Sequence, residues 1–182
     1  MAKPERLDLN DYQGVVEDYH KESDRAAIVL AGSFVEHYLA GFLKHFMIDD
    51  GSVESLFGGF GPCATFDQRI SVAYAFNLIP KWIRDDLIEI EKIRNHFAHS
   101  PRSTSLSAPS VKAMISRLST ATDPVFNAKG DGPLADRRLI YLFAVARFVV
   151  FAHNTRLRNP RERRSPNPPV EADAKRRRGS SA

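Results

Sequence analysis

The sequence predicts an all-α protein, a helical bundle of about five main helices followed by a disordered basic C-terminal tail. Three observations support this. Apolar residues recur three and four positions apart through several segments. Strand-like patterns are absent apart from one apolar run that also fits a helix. From residue 159 onward the chain has four prolines, scattered charges and no aromatic residue. With 43% apolar residues, the chain can bury an ordinary core. We therefore expect one all-α domain over residues 1–157 and a disordered tail over 158–182.

Apolar spacing and capping residues place the helices. They are predicted over residues 24–47, 65–79, 80–97, 110–119 and 136–156, with a shorter helix near 10–20. Thr65 is a suitable N-cap for the second of these, and Pro80 suits the first turn of the third. In the second helix, the side chains predicted to face inward are those of Phe66, Ile70, Ala73 and Phe76.

The positive charge of the chain belongs to its tail. The net charge is +4, but eight of the 26 Lys and Arg residues and only three of the 22 acids lie from Arg158 onward. The first 157 residues therefore carry a net charge of −1, and no basic recognition helix is apparent, which argues against direct DNA reading. The cluster over residues 175–178 could touch phosphate groups, although a plain solubilising tail is the simpler interpretation.

Several classes of protein are disfavoured by the residues present. The single Cys63 excludes an intramolecular disulfide and multi-cysteine zinc patterns. The histidines show no metal-ligand spacing, and no glycine-rich nucleotide motif occurs. We expect no metal or cofactor. The apolar run over residues 140–152 contains Arg147 and is shorter than the ~20 residues of a membrane span. No signal peptide is recognisable, so we expect a cytoplasmic protein without a membrane segment.

Arg94 interrupts the apolar stripe of the helix that follows Pro80. Ile83, Leu87 and Ile90 define this stripe, and Phe97 continues it after Arg94. An arginine on the inner face must be paired or reach solvent, because an unpaired buried charge costs several kcal/mol. Arg94 is therefore expected to have an acidic partner.

Glu36 and Arg69 are the candidate partners within other helices. Glu36 lies among apolar residues and shares a helical side with Gly32, where a second helix could approach closely. Arg69 follows Phe66 on the inner side of its own helix. One acid facing two arginines would form an internal charge network, and a purely structural network that fixes helix register is one interpretation.

His99 adds a second interpretation. It follows Arg94 by five residues, which places the two side chains about 140° apart on a continuous helix. Ser100-Pro101 predicts a helix end nearby, so His99 could fold back toward Arg94, with Asn95 orienting its ring. An arginine and a histidine without a metal suit RNA cleavage by the internal 2′-hydroxyl. His99 would act as acid or base, and Arg94 would stabilise the developing phosphate charge.

The segment from Gly61 to His99 resembles the mannitol operon repressor family of bacterial regulators. The matching elements are Gly61-Pro62, Phe66, Arg69-Ile70, Tyr74, Asn77-Leu78-Ile79 and Ile93-Arg94-Asn95-His96-Phe97-Ala98-His99. The resemblance implies a dimeric helical regulator of transcription that acts through partner proteins.

Arg94-Asn95 with His99 also resembles the Arg-x4–6-His motif of the HEPN superfamily. The resemblance implies an all-α, usually dimeric domain. Many such domains are metal-independent ribonucleases with the motif at the dimer interface, whereas others are binding modules.

Together these features predict a regulatory homodimer that binds an unidentified protein partner. The alternative is an RNA-cleaving toxin or defence enzyme in which Arg94 and His99 are catalytic, Asn95 orients His99, and Glu36 and Arg69 support the site. A small-ligand binding site between helices is a third alternative.

Overall fold

A computed structural model describes residues 19, 22–100, 105–123 and 136–160. Over these residues the chain forms helices and no strand, which confirms the all-α prediction. The helices are α1 Asp24–His45, α2 Ser52–Phe57, α3 Phe66–Ala75, α4 Lys81–His99, α5 Pro109–Ile115, α6 Ser119–Thr122 and α7 Arg137–Arg158. Most of the predicted helix near 10–20, and the predicted tail from residue 161 onward, lie outside the described residues.

Helix α1 is the centre of the bundle. It begins at the N-cap Ser23, whose hydroxyl accepts a hydrogen bond from the Ala26 amide at 3.2 Å. Basic residues Lys44 and His45 occupy its last turn, where the helix dipole favours positive charge. The helix packs against α7, α4 and α3, and α4 and α7 also contact each other. These three long helices enclose most of the core.

Of the helices that the structure describes, α1 alone has the length and apolar composition that would allow it to cross a membrane. It also packs against three other helices, α3, α4 and α7. Its buried residues are Ala27, Ile28, Ala31, Gly32, Val35, Leu39, Phe42 and Leu43. A helix that is buried by its neighbours acquires the same apolar composition as a membrane span, so this composition is accounted for by packing in the bundle.

Helix α3 ends four residues earlier than predicted. Asn77 adopts a left-handed conformation with φ of 54°. The Leu78 amide bonds the Ala73 carbonyl and the Asn77 amide bonds the Tyr74 carbonyl, both at 2.9 Å, which together form a Schellman C-cap. The sequence prediction for Phe76 was therefore wrong: its side chain is 73% exposed because the chain turns away from the helical path at this point.

The connecting segments contain more helix than the sequence predicted. The loop after α1 includes the short helix α2, and the helix predicted over 110–119 is divided into α5 and α6. Helix α7 continues through Arg158, with Asn159 as its C-cap.

Helix α4 positions the candidate site. Pro80 precedes its first turn, and its buried stripe continues through Ile90 and Ile93 to Phe97. It packs against α1, α3, α5 and α7. Because this stripe is covered on several sides, the polar residues that interrupt it must find partners within the bundle.

A buried polar cluster around Asp86 joins α4 to α6. Asp86 is 2% exposed and accepts hydrogen bonds from the Ser119 amide at 2.7 Å and the Ser119 hydroxyl at 2.5 Å. It thereby caps the first turn of α6 from a distant helix. Arg147 of α7 donates to the same hydroxyl at 3.1 Å and stacks over the Trp82 ring. Burial raises the pKa of Asp86, against the opposing effect of the Ser119 hydrogen bonds and Arg147.

Replacing Asp86 by Asn should change the pH dependence of stability. Because the pKa of Asp86 is raised on folding, the folded chain takes up this proton more readily than the unfolded chain. The contribution of Asp86 to the free energy of unfolding therefore falls as the pH rises from 3.8, the ordinary pKa of an aspartate, through the raised pKa of Asp86. In urea unfolding at pH 4 and pH 7, Asp86→Asn should gain stability relative to the native chain at the higher pH.

Asp50→Asn is the control with the opposite sign. Hydrogen bonds from Ser52 lower the pKa of Asp50, so the native chain should gain stability over this variant as pH rises. If the native chain and Asp86→Asn differ in free energy of unfolding by the same amount at both pH values, the pKa of Asp86 is not raised on folding.

Candidate functional site

The candidate site is built on the crossing of α1 and α4 at Gly32. A Cβ atom at position 32 would lie 2.7 Å from Arg94 Cγ and 2.8 Å from the Tyr141 hydroxyl. Real Cβ atoms do not approach other atoms so closely, so only glycine allows this crossing. The sequence prediction of a close helix approach at Gly32 is confirmed, and the approaching group is the stem of Arg94.

Arg94 forms an ion pair with Glu36 across this crossing. Arg94 Nη2 lies 2.7 Å from Glu36 Oε2, and the two side chains are 19% and 27% exposed. The Phe66 ring lies beneath the guanidinium, 5.9 Å from its Cζ. Within the part of the chain that the structure describes, the buried Nε of Arg94 has no hydrogen-bond partner. The pair therefore lies at the edge of the core, with a narrow face open to solvent.

Arg69 completes the predicted network but is occupied by backbone groups. Its Nε donates to the Cys63 carbonyl at 2.8 Å and its Nη2 to the Ala64 carbonyl at 2.9 Å. Its Nη1 reaches the Glu36 carbonyl at 3.3 Å and Glu36 Oε1 at 3.5 Å. Arg69 thus ties the loop before α3 to α1, and it contacts the carboxylate oxygen of Glu36 that Arg94 does not bind.

Two further residues, Glu91 and Tyr141, belong to the site, and the sequence analysis did not predict them. Burial raises the pKa of Glu91, and the neighbouring carboxylates of Asp67 and Glu36 raise it further against the effect of Arg94. Glu91 precedes Arg94 by three residues on the same helix, and residues at this spacing lie next to each other. The spacing could therefore have indicated from the sequence that Glu91 is near Arg94. Tyr141 is fully buried, donates to the Ile28 carbonyl at 3.1 Å, and its pKa is raised by burial. Its place within an apolar run gave no sign of this contact.

His99 does not join Arg94 in the structure. Helix α4 continues through His99 and ends at the C-cap Ser100. The two side chains therefore leave the helix about 140° apart, with their Cα atoms separated by about 7.5 Å along its axis. The expected fold-back of His99 toward Arg94 is not seen, because the helix does not end between the two residues.

Asn95 and His99 both lie at the surface end of α4, and His99 is exposed. Neither side chain makes a hydrogen bond with any residue that the structure describes, so the orienting contact predicted between them is not formed here. The end of α4 is instead held by Arg25 of α1, which donates to the Ala98 and Ser100 carbonyls, each at 3.1 Å. Such contacts satisfy carbonyl groups that a helix C-terminus leaves free.

The structure therefore brings together Glu36, Arg69 and Arg94 but leaves His99 and Asn95 apart from them. Across the described ranges no group of three or more His, Cys, Asp or Glu side chains is arranged to hold a metal ion. The assembled part of the site is a partly buried charge network of two arginines and neighbouring carboxylates.

Comparison with known proteins relates this fold to one solved structure in particular. No family model matches the sequence, and no curated protein matches it. The fold is similar to the crystal structure of a possible transcriptional regulator, YggD, from Shigella flexneri 2a str. 2457T. The TM-score is 0.56 with 17% sequence identity, over 85% of this chain and 99% of that one. Similarity at this level of identity establishes a shared fold.

Gly32→Ala should destabilise the protein. The added methyl group would overlap the Arg94 stem and the Tyr141 hydroxyl, and overpacking of this kind costs about 1–3 kcal/mol. Gly41→Ala is the matched control on the same helix, since a Cβ there meets nothing within 4 Å and Ala is the better helix former by about 0.5–1 kcal/mol. Urea denaturation of the two variants should give shifts of opposite sign. Equal shifts would show that the crossing is not tightly packed.

A double-mutant cycle should detect coupling between Arg94 and Glu36. Because the pair is largely removed from solvent, Arg94→Ala and Glu36→Ala should show an interaction energy of about 1–2 kcal/mol in chemical denaturation. The exposed pair Lys81–Asp85 is the control, with an expected coupling of about 0.3–0.5 kcal/mol. Coupling of the same size in both pairs would mean that the Arg94 network does not contribute specially to stability.

Proposed function

We propose that this protein is a dimeric regulatory module that acts by binding a partner protein. The observation that carries the proposal is the geometry of Arg94. Its guanidinium is held by Glu36 at 2.7 Å, whereas His99 leaves the same helix in another direction. A ribonuclease would need both groups to face one phosphate, and the single chain does not assemble that pair.

Three features agree with a regulator that does not read DNA itself. The fold is shared with a protein described as a possible transcriptional regulator. The first 157 residues carry a net charge of −1, which gives little attraction for a phosphate backbone. The regulatory role that the resemblance to the mannitol operon repressor family implies is consistent with both. In this proposal Glu36, Arg69 and Arg94 fix the register of α1, α3 and α4.

A metal-independent ribonuclease is the second candidate. His99 is exposed and makes no side-chain hydrogen bond among the described residues, so a substrate can reach its imidazole. Arg94 retains 19% exposure, which leaves an edge of the guanidinium within reach of a phosphate. In this alternative RNA is the substrate, and Asn95 would orient His99.

Incubation with a mixed RNA pool in the presence of EDTA tests the two candidates. For the regulatory module we expect no cleavage above background, from protein shown to be folded by circular dichroism and dimeric by sedimentation. Cleavage that leaves 2′,3′-cyclic phosphate ends would overturn the proposal if His99→Ala abolishes it. His96→Ala is the matched control, because it removes a histidine from the same helical turn without touching the motif. Cleavage that survives in His99→Ala would indicate a contaminating nuclease.

A further inference from the structure

A groove with an extensive apolar lining lies beyond the Arg94 network, at the C-terminal end of α1. It has a volume of about 650 Å³ and is formed where α1, α3 and α7 end. We call it the C-terminal groove. Its apolar lining consists of Leu43, Phe46, Met47, Val72, Phe76 and Leu78. Phe76, at 73% exposure, is among the most exposed aromatic residues that the structure describes. Exposed apolar side chains such as that of Phe76 gain free energy when a ligand, a partner or another part of the chain covers them.

The chain itself passes along one rim of the groove. Arg158, Asn159 and Pro160 line this rim. The Asn159 carbonyl accepts a hydrogen bond from His45 Nε2 at 2.7 Å, and the Asn159 amide bonds the Thr155 carbonyl at 3.1 Å. These bonds hold Asn159 at the rim, so the described part of the chain ends beside the groove at Pro160.

The remaining 22 residues of the chain contain one run of consecutive apolar side chains, Pro168-Pro169-Val170. Proline-rich segments bind aromatic-lined grooves readily, because their extended conformation is already set and little entropy is lost. Phe46 and Phe76 supply aromatic rings here. The run begins eight residues after Pro160, and eight residues can span at most about 29 Å. The covalent connection therefore allows this run to reach the groove, and tethering raises its effective concentration there.

We propose that Pro168-Pro169-Val170 docks into the C-terminal groove of its own chain and covers Phe76. Tethering means that even a weak intrinsic affinity keeps the groove occupied, and a competing apolar partner would have to displace the segment. A second copy of the chain is a poorer occupant. The groove offers about six apolar side chains, whereas a stable interface uses about 20–30 residues on each partner. The inference is independent of the proposed regulatory function.

Methyl NMR on the full-length chain tests the proposal directly. The protein has three methionines: Met1, Met47 in the groove and Met114 on α5. With ¹³C-methyl methionine, the triple variant Pro168→Ser/Pro169→Ser/Val170→Ser should shift the Met47 signal. Met114 should not shift, which excludes a general change in folding. The matched control Arg176→Ser/Arg177→Ser/Arg178→Ser alters the tail to a similar extent and should leave Met47 unchanged.

Two further NMR measurements identify what occupies the C-terminal groove. In the native chain the Val170 methyl groups should show a nuclear Overhauser contact with the Met47 methyl group. The chemical shift of the Met47 signal should not change with protein concentration. A Met47 signal that is identical in the native chain and the triple variant would overturn the proposal. A Met47 signal that moves with protein concentration would overturn it as well, and would assign the groove to a second copy.

Discussion

The close crossing of α1 and α4 at Gly32 is the constraint on which the rest of the structure depends. Without a Cβ at this position, the Arg94 stem and the Tyr141 hydroxyl both fit against the α1 backbone. That approach brings the guanidinium to Glu36 on the following turn of α1. A larger residue would separate the helices and leave a carboxylate and a guanidinium partly buried without each other, which costs far more than a surface ion pair contributes.

Polar groups of α4 face neighbouring helices at two levels of the bundle. Near its start, Asp86 caps α6 through Ser119 and approaches Arg147 of α7. Near its end, Arg94 pairs with Glu36 of α1, while Arg25 holds the last carbonyl groups. Apolar packing alone allows helices to slide and rotate, whereas hydrogen-bonded partners are satisfied in one register only. The two clusters therefore define how α1, α6 and α7 are placed around α4.

This arrangement separates the two surfaces for which we propose a function. His99 is exposed beyond the Arg94 network, at one end of the bundle. The C-terminal groove lies eleven residues further along α1, where Leu43 is about 16 Å from Gly32 by helical rise. A partner that binds at one end need not disturb the other.

The sequence by itself determined the fold class, the approximate helices and the inward position of Arg94, because periodic apolar spacing and capping residues are local signals. It also indicated Glu36, Arg69 and the close approach at Gly32. Tertiary structure alone decided the rest. The direction of His99 depended on where α4 ends, and Phe76 on a left-handed turn at Asn77. Tyr141 and Asp86 acquire their roles from residues more than thirty positions away in sequence, and no local pattern encodes such contacts.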